Sequence, residues 1–527
     1  MELNRRDLLT AFLGAPFAAA CRNERVISLP PGELVGASHA SGHRLRDRAR
    51  PSPSQWEWHD AVIVGGGIAG LSAAWRLAHA GMTDFLLLEL ETETGGTSRS
   101  GRSAVSAFPW GAHYVPVPSP ENRALVRLLQ EMGVMSGSEV GEEFLCRDPE
   151  ERTFFRGRWY EGLYLFAGAS AEDIRQLRAF EAEVTRWVGW KDARGRRAFT
   201  IPIAYGSDDA EVTAFDRMSM AAWMSERGFH SPRLRWLVDY SCRDDYGARS
   251  EEISAWAGLF YFASRVDRPG EESRSLITWP EGNGRLVSHL AQSARKRLAT
   301  GTLVCDIRDG EGGAVEVIAL RDEEVIGIRA HRVIFAAPQF VAGHVIAAWR
   351  TERPPHLDAF EYGSWMVANL TLRNRPAEGR GFPLAWDNVL YESPSLGYVV
   401  ATHQSGIDRG RTVFTYYYPL VARERLLATG RDEWAEIALS DLSRAHPDIR
   451  ALTERLDVMR WGHAMIRPQP RFLWSDARRL AAQPHRGIHF AHSDLSGVSL
   501  FEEALYQGVR AAEEVLTSLG RPAPTFL

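Results

Sequence analysis

One stretch near the start of the chain limits the possible fold more than any other feature. An apolar run, a glycine cluster, a helical pattern and a second apolar run follow one another at 60–64 (DAVIV), 65–70 (GGGIAG), 71–80 and 85–88 (FLLL). Glu89 ends the second apolar run and lies 19 residues after Gly70. This order of strand, GxGxxG turn, helix, strand and acid predicts a Rossmann-type nucleotide-binding fold.

Each part of this stretch has a physical task in binding a dinucleotide. The predicted phosphate-binding residues are Gly65, Gly67, Ile68, Ala69 and Gly70. The first glycine permits a tight turn, the second lets the backbone approach a pyrophosphate, and the third lets the helix pack closely on the strand. The free N–H groups and the dipole at the helix N-terminus favour the negative phosphates. Glu89 is predicted to accept hydrogen bonds from the ribose hydroxyls.

A second glycine loop follows the acid and indicates which dinucleotide is bound. The run Gly95-Gly96-Thr97-Ser98-Arg99 is predicted to bring more backbone and a cation to the phosphates. This run resembles the flavin amine oxidase superfamily, which includes polyamine and monoamine oxidases, phytoene desaturases and protoporphyrinogen oxidases. The resemblance implies that Gly95, Gly96, Thr97 and Arg99 help to bind FAD rather than NAD.

The C-terminal block at 487–516 resembles the last strand, the flavin-contacting turn and the last helix of the same superfamily. The resemblance implies that Asp494 bonds the ribityl or pyrophosphate part of FAD. It also implies that the backbone at Leu500 and Phe501 faces the flavin ring, with the helix N-terminus stabilising negative charge on the reduced ring. His492-Ser493-Asp494 stands where the family has Gly-Asp, and this places a histidine near the cofactor.

A middle block also fits the family. Residues 282–287 begin a predicted helix, and apolar runs at 303–307, 315–318 and 331–338 read as strands. The resemblance implies that these strands return the chain to the FAD domain and that the backbone of Val304 holds the adenine.

These blocks predict an α/β fold, with a discontinuous Rossmann-type FAD-binding domain and an inserted α+β substrate domain. The predicted FAD-binding segments are 58–117, 277–338 and 457–527, and the predicted substrate segments are 118–276 and 339–456. The substrate segments alternate helical periods with strand-like alternation, which predicts a sheet covered by helices. The chemistry is expected where this sheet faces the flavin.

The substrate segments are rich in aromatic residues, which predicts an aromatic-walled cavity or ordinary core packing. His463 is the candidate catalytic residue, since an imidazole can orient a substrate or carry a proton near neutral pH. Asp244-Asp245 beside Arg243 indicates a surface ion cluster or a helix cap, with a substrate-positioning patch as the alternative. The polar stretches 386–388 and 402–404 are further candidates for the cavity lining.

The chain contains only two lysines, Lys191 and Lys296. Many amine oxidases carry a lysine that hydrogen-bonds a water at the flavin N5, and neither lysine is an evident counterpart. This weakens a strict amine oxidase interpretation but leaves the broader superfamily in place.

The N-terminal residues 1–21 read as an export signal. Arg5-Arg6 precedes an apolar run that is too short to span a bilayer, and this resembles a twin-arginine signal. Cleavage after Ala20 and lipid attachment at Cys21 are both open. The Pro-, Gly-, Ser- and Arg-rich residues 22–57 are predicted to form a linker. The protein is therefore expected to be periplasmic, or anchored on the outer side of a bacterial cytoplasmic membrane.

Composition excludes some functions. The net charge of −5 gives no basic excess for nucleic acid. The four cysteines match neither a metal site nor a disulfide framework, although a Cys146–Cys242 bridge is an alternative to buried free thiols.

The predicted function is FAD-dependent oxidation of a small organic substrate by hydride transfer to the flavin N5. The substrate could be an amine or a polyamine, and the electrons would pass to O2 or to a quinone. The alternatives are a desaturase or dehydrogenase of a lipophilic or cyclic compound, and a flavin-binding protein without catalysis.

Overall fold

A computed structural model of the chain describes residues 28–36, 38–45, 51–322 and 324–527. The predicted export signal at 1–21, with Cys21, and residues 22–27, 37 and 46–50 of the predicted linker lie outside the described residues. The described chain is organised around two large sheets.

The helices and strands are numbered in chain order. The strands are β1 (Leu34–Gly36), β2 (Trp56–Val64), β3 (Phe85–Leu88), β4 (Ser100–Arg102), β5 (Ala107–Pro109), β6 (Tyr114–Pro116), β7 (Met135–Ser136), β8 (Glu139–Val140), β9 (Glu151–Phe155), β10 (Arg158–Glu161), β11 (Leu276–Thr278), β12 (Leu298–Ala299), β13 (Thr302–Asp309), β14 (Val315–Arg321), β15 (Glu324–Phe335), β16 (Tyr362–Leu372), β17 (Asp387–Leu390), β18 (Gly397–Val400), β19 (Thr412–Tyr418), β20 (Thr453–Ile466) and β21 (Ile488–Phe490). The α-helices are α1 (His39–His43), α2 (Ile68–His79), α3 (Arg123–Glu131), α4 (Ala171–Gly189), α5 (Ala210–Thr213), α6 (Met220–Glu226), α7 (Pro232–Tyr246), α8 (Ala255–Ala263), α9 (Gly284–Ala294), α10 (Gln339–Val345), α11 (Ala347–Thr351), α12 (Arg423–Ala428), α13 (Arg431–Ser443), α14 (Ile449–Leu452), α15 (Asp476–Ala481) and α16 (Phe501–Ser518).

The first large sheet, called here the nucleotide sheet, has the strand order β12-β3-β2-β15-β14-β13, and β21 pairs with β15. The central strand β2 is parallel to both β3 and β15. Helices α2, α9 and α16 bury apolar residues in one core on this sheet. Gly508 of α16 lies so close to α2 that a Cβ there would come 2.2 Å from the carbonyl oxygen of Ala69. The predicted Rossmann-type α/β fold is confirmed.

The second large sheet, called here the substrate sheet, has the strand order β1-β20-β16-β19-β18-β17-β9-β10. Successive side chains of each strand point to opposite faces. One face carries Leu370, Tyr416 and Val458 and is covered by residues of α13. The other face carries Trp365, Tyr417 and other aromatic residues, which pack in a separate cluster with Phe108 and Trp110.

A helical layer completes the substrate half of the molecule. Helices α4, α6, α7 and α8 share one buried core that includes Trp187, Trp223 and Trp256. Helix α4 begins at a capping box in which the Ser170 hydroxyl accepts the N–H of Asp173 and the Asp173 carboxylate accepts the N–H of Ser170. Such reciprocal bonds satisfy amide groups that have no partner inside the helix.

Some of the places at which the chain passes from one sheet to the other differ from the predicted domain boundaries. Strand β20 begins before residue 457 and stays in the substrate sheet as far as Ile466, inside the range predicted as a FAD-binding segment. Within the predicted linker, β1 pairs with β20 and α1 packs near the nucleotide sheet. The domain boundaries stay a prediction.

Two further observations concern the thiols and the membrane. Among the described cysteines, Cys146, Cys242 and Cys305 are free, so the alternative of a Cys146–Cys242 bridge is wrong. No helix in the described ranges is long and apolar enough to cross a bilayer.

Candidate cofactor site and active site

A cavity of about 610 Å³ lies between the nucleotide sheet and the substrate sheet. This volume is in the range of known cofactor and ligand sites. The sequence-predicted residues that line it are Gly65, Gly67, Ile68, Ala69, Glu89, Gly95, Gly96, Thr97, Val304, His463, Asp494, Leu500 and Phe501. Residues from every predicted block of the site therefore meet around one cavity.

The N-terminus of α2 opens onto this cavity. Its N-cap residue Gly67 makes no side-chain capping bond, and a Cβ at Gly67 would meet no atom within 4 Å. Gly65 has a φ of +108°, which a glycine adopts without strain. Gly70 does not line the cavity, and a Cβ there would lie 1.8 Å from the carbonyl oxygen of Gly65. Open space beside uncapped amide groups fits a pyrophosphate.

Glu89 lies at the end of β3 with its carboxylate held by the backbone. One oxygen accepts the N–H of Gly66 at 2.5 Å and the other accepts the N–H of Glu91 at 2.8 Å. Burial raises the pKa of Glu89 more than these two bonds lower it. The carboxylate is thus fixed in place at the cavity wall, where its remaining lone pairs can accept ribose hydroxyls.

The second glycine loop packs against the first. The N–H of Gly95 donates to the carbonyl oxygen of Gly66 at 2.8 Å, and a Cβ at Gly96 would lie 3.5 Å from the Cα of Gly67. Arg99 does not line the cavity. Its guanidinium lies over the ring of Trp461, 5.7 Å from the centroid, and one of its nitrogens is 3.8 Å from Glu91.

Asp494 is buried and forms the centre of a hydrogen-bond network at the cavity wall. It accepts the Tyr362 hydroxyl at 2.5 Å and the N–H of Gln339 at 2.9 Å, and His492 is 3.0 Å from its other oxygen. Burial alone would raise the pKa of Asp494, but His492 and these donors together lower it. His492 also lines the cavity, as the sequence places a histidine near the cofactor.

The N-terminus of α16 provides a second open helix end. Its N-cap residue Leu500 makes no side-chain capping bond, and Leu500 and Phe501 line the cavity. Glu502 and Glu503 in the first turn are buried, and burial raises the pKa of each to about 7. Below pH 7 these carboxyls are mostly protonated, and they then leave the positive end of the helix dipole uncompensated toward the cavity.

His463, the predicted catalytic residue, stacks on Phe340 with ring centroids 3.9 Å apart and lies edge-on to Tyr362. Because the Tyr362 hydroxyl donates a hydrogen bond to Asp494, His463 lies near the hydrogen-bond network of Asp494. Its catalytic role stays a prediction. Lys191 and Lys296 are both exposed, and neither lies in the cavity lining.

An aromatic layer joins the cofactor cavity to the substrate sheet. Ala112 lines the cavity, and the next residue is His113. The His113 ring stacks on Tyr417 with ring centroids 5.1 Å apart, and its centroid is 5.3 Å from that of Trp386. The Tyr417 hydroxyl donates to the carbonyl oxygen of Gly111 at 2.9 Å. Burial lowers the pKa of His113 to about 4, so the imidazole is neutral at physiological pH. Sequence reasoning missed His113.

Three carboxylates gather near Tyr417 of this aromatic layer, and they are called here the acid cluster: Glu151, Asp244 and Asp387. Glu151 of β9 and Asp387 of β17 are register partners in a parallel pair, so their side chains share one face of the sheet. Burial, with the neighbouring carboxylates, raises the pKa of Glu151 to about 8 and that of Asp387 well above its usual range. Burial and Asp245 raise the pKa of Asp244 to about 7, against Arg265 and Arg243.

The polar stretches that the sequence indicates as candidates lie in different surroundings in the structure. Asp244 and Asp245 lie at the end of α7. The two carboxylate oxygens of Asp245 accept hydrogen bonds of 2.8 and 2.9 Å from one guanidinium nitrogen of the buried Arg265. The interpretation as a surface ion cluster is wrong, because Arg243, Asp245 and Arg265 are buried. His403 of the stretch 402–404 bonds the carbonyl oxygen of Arg147 and does not line the cofactor cavity. Glu151 was missed because a lone acid at the start of a strand carries no signal.

Comparison with known proteins identifies the architecture. The family described as flavin containing amine oxidoreductase matches residues 68–516 of the chain. The mitochondrial dimethylglycine dehydrogenase of Rattus norvegicus is 31% identical over 123 residues, which are 23% of this chain and 14% of that protein. This chain therefore spans only a small part of that relative.

Solved structures extend the likeness over most of the chain. A putrescine oxidase bound to putrescine superposes with a TM-score of 0.64 and 15% identity, covering 88% of this chain and 100% of that one. Cyclohexylamine oxidase from Brevibacterium oxydans IH-35A superposes with a TM-score of 0.62 and 16% identity, covering 88% of this chain and 99% of that one. With the family match over most of its length, the chain belongs to the flavin containing amine oxidoreductases and is an FAD-dependent oxidoreductase.

Proposed function

We propose that this enzyme oxidises an amine, including a polyamine, bound between the flavin and the acid cluster. The observation that carries the proposal is the gathering of three half-buried carboxylates: Glu151 and Asp387 share one face of the substrate sheet, and Asp244 lies near enough to raise the pKa of both. Ionised carboxylates that lie close together are costly inside a protein, and Arg265 and Arg243 do not lower the pKa of Asp244 to its usual range. A cationic substrate would supply the missing charge and return the carboxylates to their ionised form.

The aromatic layer supports the same class of substrate. His113, Trp386 and Tyr417 pack together next to Ala112 of the cavity lining, and Tyr417 is close enough to Asp387 and Asp244 for these carboxylates to raise its pKa. Aromatic faces attract an ammonium group through their quadrupoles and exclude water from it. The names of the similar proteins, putrescine oxidase and cyclohexylamine oxidase, belong to enzymes of amines and point in the same direction.

The reaction removes a hydride from the carbon next to the nitrogen and a proton from the nitrogen, and leaves an imine that water hydrolyses. FAD held by the glycine loops and Asp494 would supply the acceptor for this hydride, and O2 or a quinone would take up the electrons afterwards. The chain binds the substrate, holds the reacting carbon toward the flavin and keeps water out of the aromatic layer. Neutral His113 can take part in a hydrogen bond beside this layer, but its pKa of about 4 disfavours the protonated form, so the proton from the nitrogen passes to water.

Anaerobic bleaching of the flavin tests the proposal. Spermidine, putrescine, a monoamine of equal chain length and a neutral lipophilic compound are each added to the FAD-loaded protein. We expect bleaching by amines, fastest with those that carry a second ammonium group. Bleaching by the lipophilic compound alone would favour the desaturase alternative, and a flavin that no compound bleaches would favour a binding protein without catalysis.

We also propose that the protein is exported already folded around FAD, through the twin-arginine-like signal at residues 5–6. The support is the sequence pattern together with a cofactor that is inserted in the cytosol. Replacing Arg5→Lys and Arg6→Lys together should leave the protein in the cytosolic fraction, and unchanged export of this variant would refute the proposal. Lipid attachment at Cys21 predicts that labelled palmitate is incorporated, and that Cys21→Ser abolishes the label.

A further inference from the structure

A segment that precedes the nucleotide fold forms part of the cavity wall. Residues 28–36 and 38–45, called here the N-terminal strap, come before β2 and belong to no predicted binding block. The predicted role of this region was a linker. The described part of this region makes contacts at both of its ends.

The first end of the strap is fixed to the edge of the substrate sheet. Strand β1 runs parallel to β20, with Leu34 opposite Val458. The N–H of Leu456 donates to the carbonyl oxygen of Pro31 at 2.9 Å. The N–H of Glu33 donates to the carboxylate of Asp457 at 2.8 Å.

Close packing reinforces this attachment. A Cβ at Gly32 would lie only 1.8 Å from the carbonyl oxygen of Leu456, so only glycine fits there. Gly32 does not line the cavity. The position therefore offers a way to detach the strap without touching the cofactor site.

The second end of the strap is fixed to the nucleotide half. The backbone N–H of Ser38 donates to Glu91 at 2.6 Å, and the Ser38 hydroxyl donates to its other oxygen at 2.9 Å. Leu45 is buried in the core that also contains Leu88 and Val304. The strap thus spans from one sheet to the other across the cavity.

The strap lies at the end of the cavity that the adenosine half of FAD is expected to occupy. The strap residues in the cavity lining are Gly36, Ser38, His39, Gly42, His43 and Leu45. Glu89 and Val304, the residues predicted for the ribose and the adenine, line the same cavity. Leu90, between Glu89 and Glu91, is 3.8 Å from where a Cβ of Gly42 would lie, so α1 packs directly on this loop.

We propose that the N-terminal strap is a cofactor-binding element that closes over the adenosine half of FAD and sets how slowly FAD leaves. The Rossmann glycines hold the phosphates from one side, and the strap supplies the opposite wall. FAD can then escape only when the strap has opened locally, so its release rate is multiplied by the small fraction of time for which the strap is open. The inference concerns FAD retention and does not depend on the identity of the substrate.

The decisive experiment measures FAD dissociation from the full-length, FAD-loaded protein after dilution, by the rise of free-FAD fluorescence. Gly32→Val should raise the dissociation rate about ten-fold or more, because the strap cannot seat on β20. Ser38→Ala should raise it about five-fold, the factor that corresponds to one net hydrogen bond. Ala40→Ser, at an exposed position of α1 outside the cavity lining, is the matched control and should leave the rate unchanged.

The circular dichroism of the FAD-saturated variants separates a local from a global effect. A native spectrum with fast FAD release supports the strap. Dissociation rates within two-fold of the wild type in both Gly32→Val and Ser38→Ala would overturn the proposal. If Gly32→Val does not fold, Ser38→Ala against Ala40→Ser decides alone, and equal rates in these two variants count against the strap.

Discussion

The acid cluster makes a prediction about the pH dependence of substrate affinity. The pKa of Asp244 is raised to about 7 and that of Glu151 to about 8, so both carboxyls are neutral at pH 6 and ionise as the pH rises. Arg265 and Arg243 face Asp244, and Glu150 adds negative charge near Glu151. Because only the ionised form attracts an ammonium group, KM for an amine should fall between pH 6 and pH 9 while kcat changes little.

Replacing one member of the cluster should weaken this dependence. We expect Asp244→Asn to raise KM about ten-fold at pH 8.5, the effect of one charge-assisted hydrogen bond, and to flatten the pH profile. Glu161→Gln, at an exposed end of β10, is the control and should behave like the wild type. A profile of Asp244→Asn that overlays the wild-type profile would remove Asp244 from substrate binding.

Glu503 makes a prediction about stability. Its side chain is fully buried, and one oxygen accepts the N–H of Ile203 at 2.7 Å; this bond, the Ser496 hydroxyl and Arg478 lower the pKa of Glu503, but burial raises it more. Since its pKa is raised from 4.5 to about 7, the folded state binds the proton more tightly than the unfolded state does. The stabilising contribution of the protonated form is therefore complete below pH 4.5 and is lost as the pH rises through 7.

Glu503→Gln keeps the acceptor for Ile203 but carries no charge at any pH. We expect its free energy of unfolding to exceed that of the wild type by about 1–3 kcal/mol at pH 8.5 and by much less at pH 5. Urea denaturation of the FAD-saturated proteins at the two pH values measures the difference. The exposed Glu433→Gln should show no such pH dependence, and a Glu503→Gln variant equally stable at both pH values relative to wild type would contradict the burial argument.

At the scale of elements, two glycines at the N-terminus of α2 have different roles: Gly67 leaves space for the cofactor, and Gly70 permits close packing. A Cβ at Gly67 meets open space, whereas one at Gly70 would lie 1.8 Å from the carbonyl oxygen of Gly65. Gly67→Val should therefore fold and be colourless, because its side chain takes up the space of the phosphates. Gly70→Val should instead lose solubility or unfold at lower temperature. Absorbance at the flavin band and the thermal midpoint distinguish the two, and a yellow Gly67→Val protein would refute the phosphate site.

The elements that the sequence predicted well are those whose own pattern decides their structure. The apolar run at 85–88 is β3, with the predicted bounds. The strap was predicted as a linker because its residues show no period. Its strand forms through backbone bonds to the edge of β20, which accept almost any side chain, so the pattern of residues 28–45 carries no sign of it.

At the scale of the whole molecule, only those parts of the candidate site could be predicted whose residues lie together in one segment of the sequence. The glycine loops and the C-terminal block are local motifs, and the cavity brings them together. The acid cluster joins β9, α7 and β17, which are far apart in the chain and meet only through the register of the substrate sheet. No local pattern distinguishes these acids from solvated ones, because tertiary packing brings them together and partly removes them from water.

Because the chain passes back and forth between the two sheets, we expect both halves of the molecule to unfold together. Strand β20 and the strap connect the substrate sheet to the wall of the FAD cavity, which has lining residues from both sheets. A cofactor bound to this shared wall stabilises both halves together, by about 2.7 kcal/mol when free FAD is a hundred times Kd. For a chain of this size that corresponds to a rise of about 2–3 °C in the thermal midpoint.

Scanning calorimetry should therefore show one transition that moves upward as a whole when FAD is added in excess. Gly67→Val provides the control, because its transition should not respond to FAD. Two resolved transitions, of which only one moves with FAD, would mean that the halves unfold separately. In that case the contacts of β20 and the strap would be too weak to couple the substrate sheet to the cofactor.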